Sequence, residues 1–96
     1  MTNYSKGRAF EYRVRRYLEG KGFTVFRTAG SHSPADLIAL KAGEVWLVQC
    51  KATTDGYLSR AARLGFVEVA NELGVVPMLA FKESTKIALR KVEGEG

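Results

Sequence analysis

Asp36, Gln49 and Lys51 are the residues of this chain whose types and spacing can do chemistry. The stretch Ser33-Pro34-Ala35-Asp36-Leu37-Ile38-Ala39-Leu40 puts an acid at the start of one apparent strand. Glu44-Val45-Trp46-Leu47-Val48-Gln49-Cys50-Lys51 ends the next strand with an amide and a lysine. The short turn around Ala42-Gly43 predicts an antiparallel hairpin with some extra loop length. The start of one strand then lies beside the end of the other, so Asp36 is expected close to Gln49 and Lys51. Side chains alternate along a strand. Val45, Leu47, Gln49 and Lys51 therefore share one face, and Trp46, Val48 and Cys50 the other. Asp36 is a natural primary ligand for a hard divalent cation such as Mg2+, which keeps several waters and takes only one or two protein carboxylates. Lys51 can orient a water or stabilise a phosphate, as an ammonium or with a lowered pKa.

A helix over residues 4–19 precedes this hairpin. Phe10, Val14, Tyr17 and Leu18 recur at i, i+4, i+7 and i+8 and form one stripe to bury. Asn3 or Ser5 can cap it, and Gly20 and Gly22 stop it. Lys6, Arg8, Arg13, Arg15, Arg16 and Lys21 crowd its exposed side, opposed only by Glu11 and Glu19. That imbalance favours phosphate contact by part of the helix over a plain solvated face. Glu11 sits beside the apolar stripe; its spacing alone says only a partly exposed helical glutamate. A short strand, Phe23–Arg27, leads into the small, polar loop Thr28–Pro34. That loop either binds a phosphate or is an ordinary turn. His32, the only histidine, forms no ligand cluster and is read as a solvated loop residue or a phosphate or water contact.

After Lys51 a loop leads to a second helix over residues 59–73, with Ser59 as N-cap and Gly74 as its stop. Ala62, Phe66, Val69, Ala70 and Leu73 make its stripe, widened by Ala61, Leu64 and Val67. Apolar residues on more than one side suggest burial against the sheet and against a second subunit. Gly65 is expected to let another element approach closely. Arg60 and Arg63, with Tyr57, meet DNA or are simply solvated. Two strands follow, over residues 75–82 with Pro77 at the edge, and over 87–92. Residues 93–96 read as a frayed tail. The fold class is α/β, a mixed five-stranded sheet flanked by helices in the order α-β-β-β-α-β-β. Cys50 packs beside Trp46 and Val48, since no thiol-activating pair is visible. Trp46, Phe23, Phe26, Phe66 and Phe81 read as core or interface and not as base-stacking platforms.

Ninety-six residues make one domain, 1–96, with a modest core that oligomerisation would help. A net charge of +5 and a pI near 9.6 favour an anionic partner, nucleic acid before an anionic membrane. One cysteine excludes an internal disulfide and a Cys-rich metal site. No apolar run approaches membrane length and no signal-peptide start is present. The expectation is a protein acting inside the cell, cytoplasmic or nucleoid-associated, and free of membrane.

Asp36 followed by the x-Lys of a neighbouring strand resembles the PD-(D/E)xK nucleases, whose fold is the restriction-endonuclease-like one. Lys6-Gly7 with Glu11, Gly22-Phe23, Arg27, Ala29-Gly30-Ser31, Asp36-Leu37-Ile38-Ala39 and Cys50-Lys51 make the chain similar to archaeal-type Holliday junction resolvases. The resemblance runs over residues 4–51. It departs at Gln49, where the family has a carboxylate, and at Ala35, where proline is usual and Pro34 is displaced by one. It implies a Mg2+-dependent endonuclease (Mn2+ substituting) that resolves four-way DNA junctions by paired nicks as a homodimer. It implies catalytic roles for Glu11, Ser31, Asp36, Gln49 and Lys51, and metal ligation by Asp36, Gln49, Glu11 and the main-chain carbonyl of Cys50. Lys6, Arg8, Arg13, Arg15, Arg16, Arg27, Ser31, His32, Arg60 and Arg63 are the candidate DNA contacts. Two other functions stay open: another endonuclease on the same core, for repair, nicking or restriction, and a junction-binding module disabled by Gln49.

Overall fold

The computed structural model describes residues 3–28 and 34–94, with side chains from Lys6 onward. Its elements are α1 (Asn3–Gly20), β1 (Thr24–Arg27), β2 (Leu37–Lys41), β3 (Glu44–Cys50), α2 (Arg60–Leu73), β4 (Val76–Glu83) and β5 (Lys86–Lys91). The order is the expected α-β-β-β-α-β-β. The strands form one sheet, β1-β2-β3-β4-β5. Only β3 and β4 run parallel, because only they are joined through a helix, α2.

The two helices pack on opposite faces of the sheet. Phe10, Val14 and Leu18 of α1 bury against Val25, Leu37, Ala39, Val48 and Ala80. Phe66 and Ala70 of α2 bury against Leu47, Leu79, Leu58 and Val92. Consecutive residues of the central strands, Leu47-Val48 and Leu79-Ala80, are therefore buried on both sides. This matches the predicted partition of β3, with Leu47 on one side and Trp46, Val48 and Cys50 on the other.

Tyr17 departs from its predicted place in the buried stripe. It is 39% exposed, and its ring carries the Lys21 ammonium 5.4 Å from its centroid. Gly22, at φ 95°, turns the chain after α1 and lets the Phe23 amide donate to Leu18 O at 3.1 Å. The β2–β3 turn is tighter than expected: Lys41 pairs with Glu44, leaving only Ala42 and Gly43 between the strands. Pro77 lies second in β4, at the start of a strand flanked on both sides. Its carbonyl still accepts from the Val92 amide at 2.9 Å.

Ser59 caps α2 as predicted, its Oγ accepting from the Ala62 amide at 3.2 Å, and left-handed Gly74 ends it. Ser59→Ala is expected to cost about 1 kcal/mol. In thermal denaturation that is a fall of about 4–8 °C for a domain of this size. Gly65 is exposed, and outside its own helix no described atom lies within 4 Å of where its Cβ would be, so no other described element approaches it closely. Among the sheet strands, α2 packs chiefly on β4. Phe26 of β1 is 55% exposed and not part of the core. In α2 only Phe66 and Ala70 of the predicted stripe are buried, while Ala61, Ala62 and Leu73 are exposed, since periodicity marks a face and not how much of it a neighbour covers.

Candidate active site

The site begins where the β2–β3 ladder ends. Leu37 pairs with Val48, but the Asp36 amide donates to Val48 O at 2.9 Å, out of step with that register. Face alternation fails at the same point: Ala35 and Leu37, two residues apart, join opposite cores. The chain kinks at Asp36, and its side chain takes over the ladder. Asp36 Oδ2 accepts from the Cys50 amide at 2.7 Å. The Asp36 carbonyl turns to β1 and accepts from the Thr28 amide at 3.0 Å. Thr28 Oγ1 also donates to Ala35 O at 2.7 Å. On the other side the Lys51 amide donates to Ala80 O at 2.9 Å. Asp36 and Lys51 are thus both fixed through main-chain bonds.

Glu11 reaches this point from α1. Its Oε1 accepts from Arg27 Nε at 3.1 Å, and its side chain is 18% exposed. Burial raises the Asp36 pKa most strongly. The Cys50 amide opposes this, the Glu11 charge adds to it, and Arg27 and Lys51 oppose it more weakly. The net shift is upward: burial and the Glu11 charge disfavour the ionised Asp36 more than the Cys50 amide, Arg27 and Lys51 favour it, so a bound cation would be a further counter-charge. Burial also pushes the Cys50 thiol far up, aided by the charges of Asp36 and Glu11. The thiol packs against the α1 core and is neither nucleophile nor soft metal ligand.

The donors fit a hard divalent cation. Asp36 and Glu11 would supply carboxylates, and the Cys50 carbonyl and Gln49 amide oxygen would be the neutral donors. Among the described residues no three of His, Cys, Asp or Glu cluster as a metal cage. Such a set suits an ion that keeps waters, as Mg2+ does, and not tetrahedral zinc. Gln49 is half-buried in β3 one residue before Cys50 and pairs with Leu79 of β4.

The predicted DNA contacts separate into groups. Arg8, Arg15 and Arg27 line one small pocket together with Glu11, Tyr12 and Leu37. Arg15 also pairs with Glu19 at 3.4 Å. Arg13 turns the other way and donates to Thr85 O at 3.0 Å, tying α1 to the β4–β5 turn. Arg16 lies 6.0 Å over the Tyr12 ring and Lys6 is exposed. Arg60 and Arg63 belong to α2, on the opposite face, and Arg63 donates to Glu93 O at 3.1 Å. Ser31 and His32 lie outside the described residues. Sequence reasoning missed Thr28, which holds the kink at Ala35 and Asp36. A threonine closing a strand before a polar loop was its only signal.

A family model described as archaeal Holliday junction resolvase matches residues 2–93. The chain belongs to that family. A relative named crossover junction endodeoxyribonuclease Hjc, from Methanocaldococcus jannaschii, is 38% identical over 81 residues. That match covers 82% of this chain and 60% of the relative, so the chain spans less than two thirds of its length. The solved structure of Archaeoglobus fulgidus Hjc, a Holliday junction resolvase, superposes with a TM-score of 0.78. It is 24% identical and the match covers 91% of this chain and 73% of that one, which supports the shared fold. The kinked Asp36, with its carboxylate accepting from the Cys50 amide, thus lies within the matched residues of a resolvase-family chain.

Proposed function

We propose that this chain is a Mg2+-dependent endonuclease that nicks branched DNA, chiefly four-way junctions. The observation that carries the reading is the half-buried Asp36, capped by the Cys50 amide and flanked by the charges of Glu11, Arg27 and Lys51. The family name, and the names of the two relatives, supply the substrate class.

Asp36 would hold the cation first, with the Cys50 carbonyl, Glu11 and the Gln49 oxygen completing the protein's share. The ion, when bound, supplies Lewis acidity toward the phosphate and makes water a better nucleophile. Lys51 sits beyond the last residue of β3 and would orient the attacking water or offset charge on the transferring phosphate. Arg27 now neutralises Glu11. With a cation and DNA present it becomes available to the phosphate backbone, together with Arg8 and Arg15 from the same pocket. Ser31 and His32, from the loop between β1 and β2, are further candidate phosphate contacts.

A two-fold dimer would give two such sites for paired nicks in a symmetric junction. The exposed Phe26 of β1 and Leu73 of α2 would offer apolar surface to that contact. Tyr12, at 61% exposure, lies instead by the basic pocket. The second reading, a junction binder that does not cut, rests on Gln49 bringing no negative charge.

The test compares an immobile four-way junction with a linear duplex of the same sequence, in Mg2+ and in EDTA. Symmetric nicks in the junction alone, lost in EDTA, are expected. Equal cutting of both substrates would mean a less selective nuclease. Junction-selective binding with no cutting in any divalent ion would support the binding module.

A further inference from the structure

We propose that Arg90, Gly56 and Phe81 form a clamp that positions Lys51 for the reaction. The inference rests on the catalytic role proposed for Lys51. The chain leaving β3 does not depart from the sheet at Lys51. The Lys51 amide donates to Ala80 O at 2.9 Å, and two residues later Thr53 O accepts from the Lys82 amide at 2.8 Å. The segment then turns on Asp55, whose Oδ1 accepts from Thr53 Oγ1 at 3.0 Å and from the Tyr57 amide at 3.1 Å. Those bonds hold the Asp55 carboxyl below its ordinary pKa.

Gly56 follows at φ 60°, buried against the face of Phe81. A Cβ there would stand 3.0–3.2 Å from three atoms of that ring, so the close approach needs glycine as much as the left-handed backbone does. The Arg90 guanidinium completes the clamp. It donates from Nη2 to Gly56 O and lies 5.3 Å from the Phe81 ring centroid. Arg90 pairs with Leu79 across β4–β5, and Leu79 pairs with Gln49 across β3–β4. One line across the sheet therefore joins the clamp to the end of β3 that bears the site. The described ion pairs are Arg15–Glu19 and Arg27–Glu11. Arg90 bonds instead to a main-chain carbonyl of the loop leaving Lys51, which suits a group that fixes a backbone path.

A loop staple that serves stability alone would lower the melting temperature and leave turnover of the folded protein unchanged. A positioning role separates turnover from binding, because an error of about 1 Å at a reacting group can cost about 100-fold. The experiment measures single-turnover nicking of a four-way junction at saturating enzyme and Mg2+, below the melting temperature of every variant. Junction affinity is measured in Ca2+. The variants are Arg90→Met, Arg90→Lys, Phe81→Leu and Lys51→Ala. Arg90→Met and Phe81→Leu are expected to nick about 10- to 100-fold more slowly with affinity within about threefold of the parent, and Arg90→Lys to recover most of the rate. If Lys51→Ala is inactive and Arg90→Met nicks at the parent rate, the clamp is overturned and the site reading stands. Parallel loss of rate and affinity makes Arg90 a DNA contact and overturns it too. Nicking by Lys51→Ala at the parent rate removes the site reading, and the clamp with it.

Discussion

Asp36→Asn is expected to slow metal-dependent nicking about 1000-fold and to make the metal-free protein more stable. The first effect follows from removing the carboxylate that the kink holds in place. A bound metal offsets several kcal/mol of charge in the transition state, and each 1.4 kcal/mol is about tenfold in rate. The second effect follows from the pKa. Burial and the Glu11 charge lift the folded Asp36 above its ordinary 3.8 despite the Cys50 amide. The folded state then binds the proton more tightly than the unfolded state does. Stability is full below the unfolded pKa and is lost as pH rises through the folded one. At neutral pH the parent protein carries that cost in full. Asparagine does not ionise, and its Oδ1 can still accept from the Cys50 amide, so the cost disappears while the hydrogen bond remains. Melting curves of both proteins in EDTA across the acid range test this. The parent should lose stability relative to Asp36→Asn as pH rises, and Mg2+ should restore it to the parent only. A variant less stable than the parent at neutral pH in EDTA would show that Asp36 is held by interactions stronger than its burial penalty.

Gln49→Glu is expected to tighten Mg2+ binding about 10- to 100-fold, the scale on which groups around a metal alter affinity. Glutamine offers the cation an oxygen and no charge. Glutamate in its place would bring a third carboxylate to the neighbourhood of Asp36 and Glu11. Without metal the same change is unfavourable, since like charges disfavour each other and drive the Asp36 pKa further up. The signature is therefore paired: a lower melting temperature in EDTA and a larger gain on adding Mg2+. At saturating metal a tenfold tighter site adds about 1.4 kcal/mol of linked stabilisation. Melting in a Mg2+ series gives the affinity, and nicking in the same series gives the chemical consequence. If both proteins nick equally at high Mg2+ and differ only at low Mg2+, Gln49 tunes affinity. If only Gln49→Glu nicks, the natural site is disabled. Unchanged Mg2+ affinity would take Gln49 out of the ligand set.

The sequence by itself determined the element order, the buried centres of the two helical stripes (Phe10, Val14 and Leu18; Phe66 and Ala70) and the nearness of Asp36 to the end of β3. Each of these rests on local rules. Helical recurrence marked Phe10, Val14 and Leu18, all buried in α1, and alternation sorted Leu47 from Trp46, Val48 and Cys50. The capping chemistry of Ser59 and Gly74 bounded α2. A hairpin with Ala42 and Gly43 at its tip brings Asp36 to Cys50 whatever surrounds it. Only the tertiary structure decided how Asp36 is held there. Alternation assumes an unbroken strand, and the kink at Asp36 breaks it, so its carboxylate meets the Cys50 amide in place of a main-chain acceptor. Tyr17 and Phe26 are exposed for a related reason. Periodicity says which face a residue occupies, but not whether a neighbour covers that part of the face. The Glu11–Arg27 pair, the tie from Arg13 to Thr85 and the clamp from Arg90 to Gly56 join residues far apart in the chain. Their contacts depend on which strands lie side by side and which face each helix covers, and local spacing carries neither.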